Sequence, residues 1–341
     1  MKDLDLFENY TYGGIAYSSS LKYKAMVKKK EPFGAMVVRE KFDHSLVKLA
    51  VDSGAKFVDG KTVEDIKISK DKSKLIFDDK KEIDAEIVVG ADGIYSTVAK
   101  KTGLASIKKN NGICVFQESK LDEKTIDRFF GKERMCHIHI KFKNIPGYGW
   151  VFPKKQHLNL GVVKLHPTKL NLLNVYKDYF NLLKKDKIIP ENLKMGQCKG
   201  GALPLGPLEK TYSNRVILVG DAAGFINPIS GEGIYYAMSS GEIAAKIISE
   251  SLENGDSSEK FLAKYQKIWN RDFGKDIKTF LKASKSTGGD DDNFIRLVSK
   301  DEKLTEIALS IFYGSLSVDE IKWKLIRRYI FVRFKDLFSK K

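Results

Sequence analysis

One segment, residues 215–241, constrains the fold of this chain more than any other. An apolar run from Val216 to Val219 predicts a buried strand that ends at Gly220 and Asp221. A turn of small residues, with Gly231 and Gly233, then leads into a long helix predicted from apolar residues at helical spacing. In α/β sheets this arrangement holds phosphate-rich ligands, because backbone N–H groups and the helix N-terminus face the anionic part. The acid at the strand end can accept hydrogen bonds from sugar hydroxyls.

A related pattern lies upstream, in residues 86–98. The short apolar strand Ile87–Val89 runs into Gly90, Asp92 and Gly93, and a helix is predicted to begin near Ser96. Each pattern alone is common in α/β proteins. Together, in this order and about 130 residues apart, they are a much more specific signal.

These residues resemble the FAD-dependent oxidoreductases that have the para-hydroxybenzoate-hydroxylase type of fold. Residues 90–98 are similar to the Asp-Gly motif of that superfamily, and residues 220–234 are similar to its Gly-Asp motif. The resemblance implies that Asp221 binds the ribityl chain of FAD. It also implies that Arg39 lies near the flavin, at the start of a helix formed by His44–Ala50.

Within that superfamily the chain looks most like the geranylgeranyl reductases, which carry a Y-x-W-x-F-P motif followed by a glycine pair. The matching residues are Tyr148, Gly149, Trp150, Val151, Phe152 and Pro153. Gly161 follows at a suitable distance, but Val163 stands where the family has its second glycine. Residues 201–208 also resemble the family, and the whole resemblance covers residues 6–252.

The resemblance implies a reductase that saturates C=C bonds in the geranylgeranyl chains of lipids or prenyl alcohols. Its cofactor is FAD, and its electron donor is either NAD(P)H or ferredoxin. The implied cofactor-binding residues are Arg39, Asp92, Gly93, Gly220, Asp221, Ala222, Gly231, Glu232 and Gly233. The implied substrate-binding residues are Tyr148, Trp150, Phe152, Pro153 and Gly161. Tyr148 is a weak candidate for the proton donor, because a phenol has a pKa of about 10.

The family's usual beginning, a strand followed by G-x-G-x-x-G and a helix, has no counterpart before Gly90. We therefore expect an incomplete Rossmann-like domain, in which the strands that end at Gly90 and Gly220 lack a shared central neighbour. Three explanations remain open: a start codon assigned too late, a split or truncated gene with a separately encoded N-terminal fragment, or a degenerate relative.

The predicted fold is a mixed α/β architecture with a Rossmann-like FAD-binding domain, a β-sheet substrate domain and a C-terminal helical region. Residues 1–110 and 201–255 are predicted to form the two parts of the FAD-binding domain. Residues 111–200 are predicted to form the β-rich substrate domain, and residues 256–341 the helical region. A helix is expected over Asn171–Lys185, and an irregular segment over Lys199–Lys210.

Composition narrows the functional classes. The chain has 341 residues, of which 42% are hydrophobic, so it can bury a sizeable core. It contains no run of 18 apolar residues and no leader, and its three cysteines, at 114, 136 and 198, are far apart. We expect a cytoplasmic protein, peripheral on the membrane at most. The net charge of +16 has two possible interpretations: a solvated, lysine-rich surface, or a surface that attracts the protein to an anionic membrane. No nucleic-acid-binding motif accompanies the charge.

Two further segments carry predictions. His137 and His139 alternate with apolar residues, which indicates a half-buried strand with a solvent-facing edge and no metal site. The segment Ile321–Phe338 is basic and rich in aromatic residues. Three roles are open for it: packing over the substrate cavity, contact with a membrane surface, or contact with a partner helix.

Two other functions compete with the reductase. A flavin monooxygenase of the same fold would consume oxygen with NAD(P)H, although the Tyr-Trp-Phe-Pro segment argues against it. A non-catalytic remnant would bind lipid or a partner and take up no FAD. The yellow colour of bound flavin separates this last alternative from the other two.

Overall fold

The computed structural model describes residues 6–105, 111–285, 290–314 and 317–338. The chain forms two compact units. The first takes its described residues from 1–57, 113–201 and 286–341, and the second from 58–112 and 202–285.

These units group the chain differently from the predicted domains. The divisions at residues 112 and 201 lie close to the predicted boundaries at 110 and 200. However, the stretch up to residue 57 and the stretch after residue 285 fall in the same unit as the β-rich part.

The strands are short and lie mostly in the first two thirds of the chain. In chain order they are β1 (Asn9–Thr11), β2 (Gly13–Tyr17), β3 (Lys24–Lys28), β4 (Gly34–Met36), β5 (Val63–Ile68), β6 (Ser73–Phe77), β7 (Glu82–Ala85), β8 (Val88–Gly90), β9 (Asn111–Lys120), β10 (Cys136–Ile140), β11 (Gly147–Pro153), β12 (His157–Lys164), β13 (Lys199–Pro204), β14 (Tyr212–Ser213) and β15 (Val216–Leu218).

The helices are concentrated in the last third. In chain order they are α1 (Arg39–Asp52), α2 (Thr97–Lys101), α3 (Glu123–Phe130), α4 (Leu172–Lys185), α5 (Gly220–Ala223), α6 (Ile234–Glu253), α7 (Glu259–Trp269), α8 (Lys275–Ser284), α9 (Asp291–Val298), α10 (Glu302–Tyr313) and α11 (Val318–Phe338). The mixed α/β class predicted from the sequence is confirmed.

The first unit is built on a seven-stranded sheet with the strand order β13-β9-β12-β11-β10-β2-β3. Strands β9, β12, β11 and β10 pair antiparallel in succession, whereas β10 and β2 pair parallel. Strands β11 and β12 form an antiparallel pair, with Pro153 opposite Leu158 at the end where the chain turns. The segment from Lys199 was predicted to be irregular, which is wrong for its first half, because β13 joins the sheet there.

Helix α4 shows why the sheet has a covered face. Its buried residues recur at helical spacing, and they are Leu172, Val175, Tyr176, Tyr179, Phe180 and Leu183. The Asn171 side chain accepts a hydrogen bond from the Asn174 N–H and caps the helix, so the predicted helix is confirmed. The apolar face packs in one core with Val151, Leu158 and Leu160 of β11 and β12.

The prediction of a solvent-facing edge for His137 and His139 is wrong. Strand β10 lies inside the sheet, between β11 and β2, and His139 is buried. Its Nδ1 forms a hydrogen bond of 2.8 Å with the Tyr179 hydroxyl from α4, and its ring stacks on Tyr17 at 4.2 Å. His137 Nδ1 lies 3.1 Å from the Tyr17 hydroxyl. Aromatic side chains from other elements, which local periodicity does not reveal, therefore cover this face.

The second unit contains a three-stranded sheet with the order β14-β15-β8 and an antiparallel ribbon of β5, β6 and β7. Strands β15 and β8 are parallel neighbours, with Val216 opposite Val88 and Leu218 opposite Gly90. The expectation that a missing central strand leaves these two strands without a neighbour is therefore wrong, since they pair directly with each other. Leu218 and the rest of β15 are fully buried, as the apolar run predicted.

Candidate functional site

The two acidic motifs lie past the carboxyl ends of adjacent parallel strands. Gly90 and Leu218 are opposite each other at the ends of β8 and β15. Asp92 follows Gly90 by two residues, and Asp221 follows Leu218 by three. The two strands thus bring both motifs to one edge of the sheet, which is where open α/β sheets bind their ligands.

The start of the downstream motif is tied to the helix that follows it. The N–H of Gly220 donates a hydrogen bond of 3.0 Å to the Ser240 hydroxyl of α6. Asp221 and Ala222 then lie in the single-turn helix α5, directly after the strand. Ser240 is fully buried and was not among the predicted site residues. Only its helical register, six residues after the first residue of α6, could have indicated its role.

A tight loop connects this turn to α6, and Asn227 organises it. The Asn227 Oδ1 accepts hydrogen bonds from the N–H groups of Ile229 (2.9 Å) and Ser230 (3.3 Å). Its backbone carbonyl accepts from Gly231 N–H, and its own N–H donates to the Glu232 carbonyl, each at 2.8 Å. Asn227 is fully buried, yet its Nδ2 has no hydrogen-bond partner within the described residues. Because buried donors are nearly always paired, this amide indicates a missing acceptor such as a ligand or water.

Glu232 caps the N-terminus of α6. Its Oε1 accepts a hydrogen bond of 2.8 Å from the Tyr235 N–H, and Gly233 is the N-cap residue. Burial raises the pKa of Glu232, and the charge of Asp221 adds to the rise. The sequence predicted that the free N-terminus of this helix faces an anionic ligand. The Glu232 carboxylate accepts from one of these N–H groups, and contact of the helix N-terminus with an anionic ligand remains a prediction.

Asp92 has a structural partner of its own. Its Oδ1 accepts a hydrogen bond of 2.5 Å from the Ser96 hydroxyl, and its Oδ2 accepts one of 3.1 Å from the Val98 N–H. Ser96 in turn caps α2 through the Ala99 N–H. The carboxylate therefore holds the first turn of α2, and Gly93 lies in the turn between strand and helix. A direct contact of Asp92 and Gly93 with a cofactor remains a prediction.

Arg39 lies in the first unit, as the first residue of α1, which confirms the predicted helix start. Its guanidinium donates to both carboxylate oxygens of Asp43, with Nε–Oδ1 at 3.0 Å and Nη2–Oδ2 at 2.9 Å. Both side chains are exposed. The proximity of Arg39 to a flavin stays a prediction.

The residues after β15 suit the sugar and phosphate part of FAD. Asp221 and the carboxylate of Glu232, both half-buried, supply acceptors for hydroxyl donors. The orphaned Nδ2 of Asn227 supplies a donor for a phosphate or carbonyl oxygen. Gly220, Ala222, Gly231 and Gly233 surround these groups in sequence with side chains no larger than a methyl group. This combination of acceptors, one donor and small residues fits a hydroxyl-rich dinucleotide.

The aromatic motif lies on β11 in the first unit. Tyr148, Trp150 and Phe152 alternate along the strand and share one face, with successive ring centroids 6.0 Å and 6.1 Å apart. Phe312 of α10 packs edge-on against Tyr148, at 5.1 Å. Pro153 ends the strand and is buried. The contact of these aromatic rings with a substrate remains a prediction.

A polar chain fixes the orientation of the central ring. The Trp150 Nε1–H donates a hydrogen bond of 2.7 Å to Asn159 Oδ1. The Asn159 Nδ2 donates to Glu118 Oε2 at 2.8 Å, and Lys154 Nζ lies 2.7 Å from the other Glu118 oxygen. Asn159 was missed from the sequence, although it is paired with Phe152 in the β11–β12 register.

Gly161 lies directly opposite Trp150 in the strand pair and leaves room for its indole ring. A Cβ atom at residue 161 would lie 2.5 Å from Trp150 Cζ2 and 2.6 Å from Phe116 Cβ. Gly161→Ala is therefore expected to displace the indole, break its bond to Asn159 and destabilise the fold by about 1–3 kcal/mol. Urea unfolding with tryptophan fluorescence measures both effects.

A double-mutant cycle with Trp150→Phe tests the cause. Phenylalanine lacks the Cζ2 and Cη2 atoms, so we expect Gly161→Ala to cost less in that background. Part of the cost should persist, because Phe116 Cβ is unchanged. An equal cost in both backgrounds would show that the indole does not determine the need for glycine here.

Tyr148 is a poor proton donor in this structure. It is buried, and burial raises the pKa of its phenol further above the ordinary value, with a smaller contribution from Cys114. The raised pKa disfavours the role that the sequence had assigned to Tyr148 as a weak candidate. Its contribution is therefore to the aromatic wall.

Comparison with known proteins places the chain in a family, although no protein-family model matches it. It is 31% identical over 294 residues to the digeranylgeranylglycerophospholipid reductase of Methanocaldococcus jannaschii, a match that covers 82% of this chain and 71% of the relative. It is also 31% identical over 285 residues to the reductase of the same name from Methanococcus aeolicus, covering 80% and 69%.

Solved structures agree on the fold. A geranylgeranyl bacteriochlorophyll reductase-like protein from Thermoplasma acidophilum superposes with a TM-score of 0.78 at 22% identity, covering 99% of this chain and 84% of that one. A flavin-dependent halogenase superposes with a TM-score of 0.66 at 18% identity, covering 97% and 66%. From the extent and level of identity to the two reductases, the chain belongs to the geranylgeranyl reductase family of FAD-dependent oxidoreductases.

Proposed function

We propose that this protein reduces C=C bonds in the geranylgeranyl chains of isoprenoid glycerophospholipids and uses FAD to do so. The observation that carries the proposal is the 31% identity to a digeranylgeranylglycerophospholipid reductase over 82% of the chain. The half-buried carboxylates of Asp221 and Glu232 and the orphaned amide of Asn227 after β15 support the cofactor. The aromatic strand β11 supports an apolar substrate.

FAD, when bound, supplies the hydride for the alkene. Asp221 and Glu232 would accept hydrogen bonds from its sugar hydroxyls, and Asn227 Nδ2 would donate one. An unactivated alkene offers no polar group for recognition, so the protein has to work mainly by holding the prenyl chain in place and excluding water. Tyr148, Trp150 and Phe152 would supply that apolar wall, with the Trp150 ring held by Asn159.

We propose in addition that the protein works as a peripheral protein on the membrane surface, where an isoprenoid lipid lies. Within the part of the chain that the structure describes, no helix has the length and apolar character needed to cross a bilayer. The physiological electron donor, NAD(P)H or ferredoxin, is outside this proposal. An assay with chemically reduced FAD under anaerobic conditions does not depend on it.

The direct test incubates the purified protein with reduced FAD and digeranylgeranylglycerophospholipid, and follows the lipid by mass spectrometry. Gain of two hydrogen atoms per reduced bond supports the proposal. In a parallel aerobic assay with NAD(P)H, oxygen-dependent consumption of the nicotinamide without lipid reduction would support the monooxygenase instead. Protein that takes up no FAD and leaves the lipid unchanged would support the non-catalytic alternative.

Asp221→Ala is expected to weaken FAD binding by about a hundredfold, because it removes a charged hydrogen-bond acceptor from a largely buried site. Equilibrium titration of flavin fluorescence measures the change. The matched control is Asp71→Ala, which removes an exposed carboxylate in the turn before β6 of the same unit and should leave affinity unchanged. Equal affinities for both variants would remove Asp221 from the cofactor site.

A further inference from the structure

Helix α11 has two apolar faces, and only one of them is used inside the protein. The inner face packs against α9 and α10 and contributes to a core with Leu304 and Val298. Its buried or half-buried members are Ile321, Leu325, Tyr329 and Val332. These residues recur at helical spacing, so they account for one side of the helix.

The opposite face of α11 carries a second apolar stripe that is exposed. Its members, with their exposed fractions, are Trp323 (63%), Ile326 (40%), Ile330 (61%), Phe334 (62%) and Leu337 (64%). The spacing of three, four, four and three residues keeps them within an arc of about 80° at 100° per residue. The arc is centred opposite the buried face. Water-exposed apolar residues scattered singly are ordinary, but a continuous stripe over four turns marks an interaction surface.

Basic residues flank this stripe on both sides. Lys322 and Arg333 follow one edge of the stripe, and Arg327 and Lys324 follow the other. From residue 321 to residue 338 the sequence has six Lys or Arg residues and a single acidic residue, Asp336.

Asp336 does not face solvent with the basic residues. It is buried and accepts hydrogen bonds from Arg296, with Nη2–Oδ2 at 2.7 Å, and from Lys300. These two cations hold the pKa of its carboxyl well below the usual range. The exposed surface of this segment is therefore apolar and cationic.

A basic cleft of about 380 Å³ lies between α10 and α11. Its lining residues are Lys303, Ile307, Lys324, Arg327, Arg328 and Phe331. The Arg328 Nε donates to Asp301 at 2.8 Å, but Lys303, Lys324 and Arg327 form no ion pair with any residue described in the structure. Lys303 and Lys324 act on the nearby carboxylates of Asp301 and Glu320 only at longer range, where they contribute to lowering the pKa of each. Three cations without a close ion pair in the described residues, beside the exposed ring of Phe331, favour an anionic group in this cleft.

A second copy of the chain is a poor occupant for this surface. Pairing two α11 helices would bring Lys322, Arg327 and Arg333 of one copy near the same residues of the other, and like charges repel. A heptad seam through Trp323, Ile326 and Ile330 would also place Arg333 at a core position. An anionic lipid surface matches both the apolar stripe and the basic flanks.

We propose that the outer face of α11 docks on an anionic lipid bilayer, with the aromatic stripe in the interfacial layer and a lipid phosphate in the α10–α11 cleft. This inference rests on the proposed function as a peripheral membrane protein that acts on isoprenoid lipids, and it identifies the surface that binds the membrane. The helix lies in the plane of the interface, because basic residues flank its outer apolar stripe along its length.

The experiment is flotation of the full chain with vesicles of phosphatidylcholine alone or mixed with phosphatidylglycerol. We expect binding to the mixed vesicles that weakens as salt is raised. Two triple variants should each lower the partition coefficient at least tenfold. The apolar variant is Trp323→Ser/Ile330→Ser/Phe334→Ser, and the basic variant is Lys303→Gln/Lys324→Gln/Arg327→Gln. The control, Phe57→Ser/Val58→Ser/Ile83→Ser, removes three equally exposed apolar residues elsewhere and should bind as the unaltered chain does.

Tryptophan quenching identifies the inserted face directly. Among the three tryptophans only Trp323 is exposed, since Trp150 and Trp269 are buried. Lipids brominated near the headgroup should quench its fluorescence in the unaltered chain and not in Trp323→Phe. Circular dichroism confirms that each variant is folded.

Several outcomes would overturn the proposal. They are equal binding to neutral and anionic vesicles, no quenching of Trp323, or dimerisation in sedimentation that the apolar triple variant abolishes. Flotation and quenching require neither FAD nor turnover. A chain that binds vesicles but does not reduce lipid would therefore contradict the proposed function and leave this docking surface intact.

Discussion

Replacing Gly224 by alanine is expected to destabilise the second unit by about 2–5 kcal/mol. Gly224 ends α5 with a φ of 83°, a conformation that costs a residue with a side chain about 1–2 kcal/mol. In addition, a Cβ atom here would lie 2.2 Å from the Gly206 carbonyl oxygen and 3.1 Å from Pro207 Cα. Both neighbours are backbone, so no side-chain rotation can relieve the contact, and overpacking of this kind typically costs about 1–3 kcal/mol more.

The segment around Gly206 and the end of α5 cannot easily move apart to make room for the added methyl group. The Leu208 N–H donates a hydrogen bond of 2.9 Å to the Ala223 carbonyl, which holds residues 206–208 against the end of α5. Ala223 and Phe225 on either side belong to the core of the second unit. Moving Gly224 would therefore also move the turn that carries Asp221, whose carbonyl accepts from the Gly224 N–H at 3.1 Å.

Gly103→Ala is the matched control for this prediction. Gly103 lies in the same unit and has a similar φ of 72°, but nothing lies within 4 Å of a Cβ atom built there. Gly103→Ala should lower the free energy of unfolding only by the cost of the positive φ, about 1–2 kcal/mol. Urea unfolding followed by far-UV circular dichroism compares the two variants, and equal losses would show that the close approach to Gly206 is unimportant.

The most local part of the candidate site is also the part that the sequence predicted well. An apolar run, an acid at its end, small residues and a helix are all contained in residues 215–253. The structure forms them in that order as β15, α5 and α6. The spacing of apolar and small residues is enough to predict this strand, turn and helix, because each element depends on neighbours a few residues away. The same holds for α4, whose apolar periodicity and Asn171 cap are both local.

The predictions that failed depend on partners distant in sequence. The burial of His139 requires Tyr17 and Tyr179, and the interior place of its strand requires pairing with β2. Strand β13 has few apolar residues, and it is a strand because it pairs with β9. The direct pairing of β8 with β15 joins segments about 130 residues apart, so no local pattern could reveal it.

Two functional details were accessible locally and were still missed. Glu232 lies just before α6, where an acidic side chain commonly caps a helix, yet it was predicted only as a cofactor-binding residue. Asn227 precedes a proline in a loop, a position that favours side-chain hydrogen bonds to the following backbone. Its unpaired Nδ2 depends on three-dimensional burial and could not be predicted.

The first unit is expected to lose about 4 kcal/mol of stability as the pH falls from about 7.5 to about 5, because of the buried His139 and the half-buried His137. Burial lowers the pKa of His139 to about 3 and that of His137 to about 4. The charge of the other histidine contributes at His139, and that of Lys24 at His137. In the unfolded chain each imidazole has a pKa of about 6.5. Both therefore remain neutral in the folded protein at a pH where the unfolded chain is protonated.

The sign follows from the number of protons bound. Below about pH 6.5 the unfolded state binds two more protons than the folded state, so acid favours unfolding. The stability is complete above that pH and falls until the folded histidines titrate, near pH 4 and pH 3. Each histidine contributes about 1.4 kcal/mol per pH unit inside this window. Glu232 in the second unit acts in the opposite direction, because its pKa is raised and acid favours its folded form.

Urea midpoints between pH 7.5 and pH 5 test this expectation in three proteins. The double variant His137→Phe/His139→Phe should lose most of the pH dependence, whatever its stability at neutral pH. Tyr179→Phe removes the hydrogen bond to His139 but keeps the aromatic surroundings of both imidazoles, so it should lower the stability and keep most of the pH dependence. If the double variant retained the full slope, the acid sensitivity would come from other groups. Because local carboxylates titrate mainly near pH 4, their contribution falls largely below the range of the measurement.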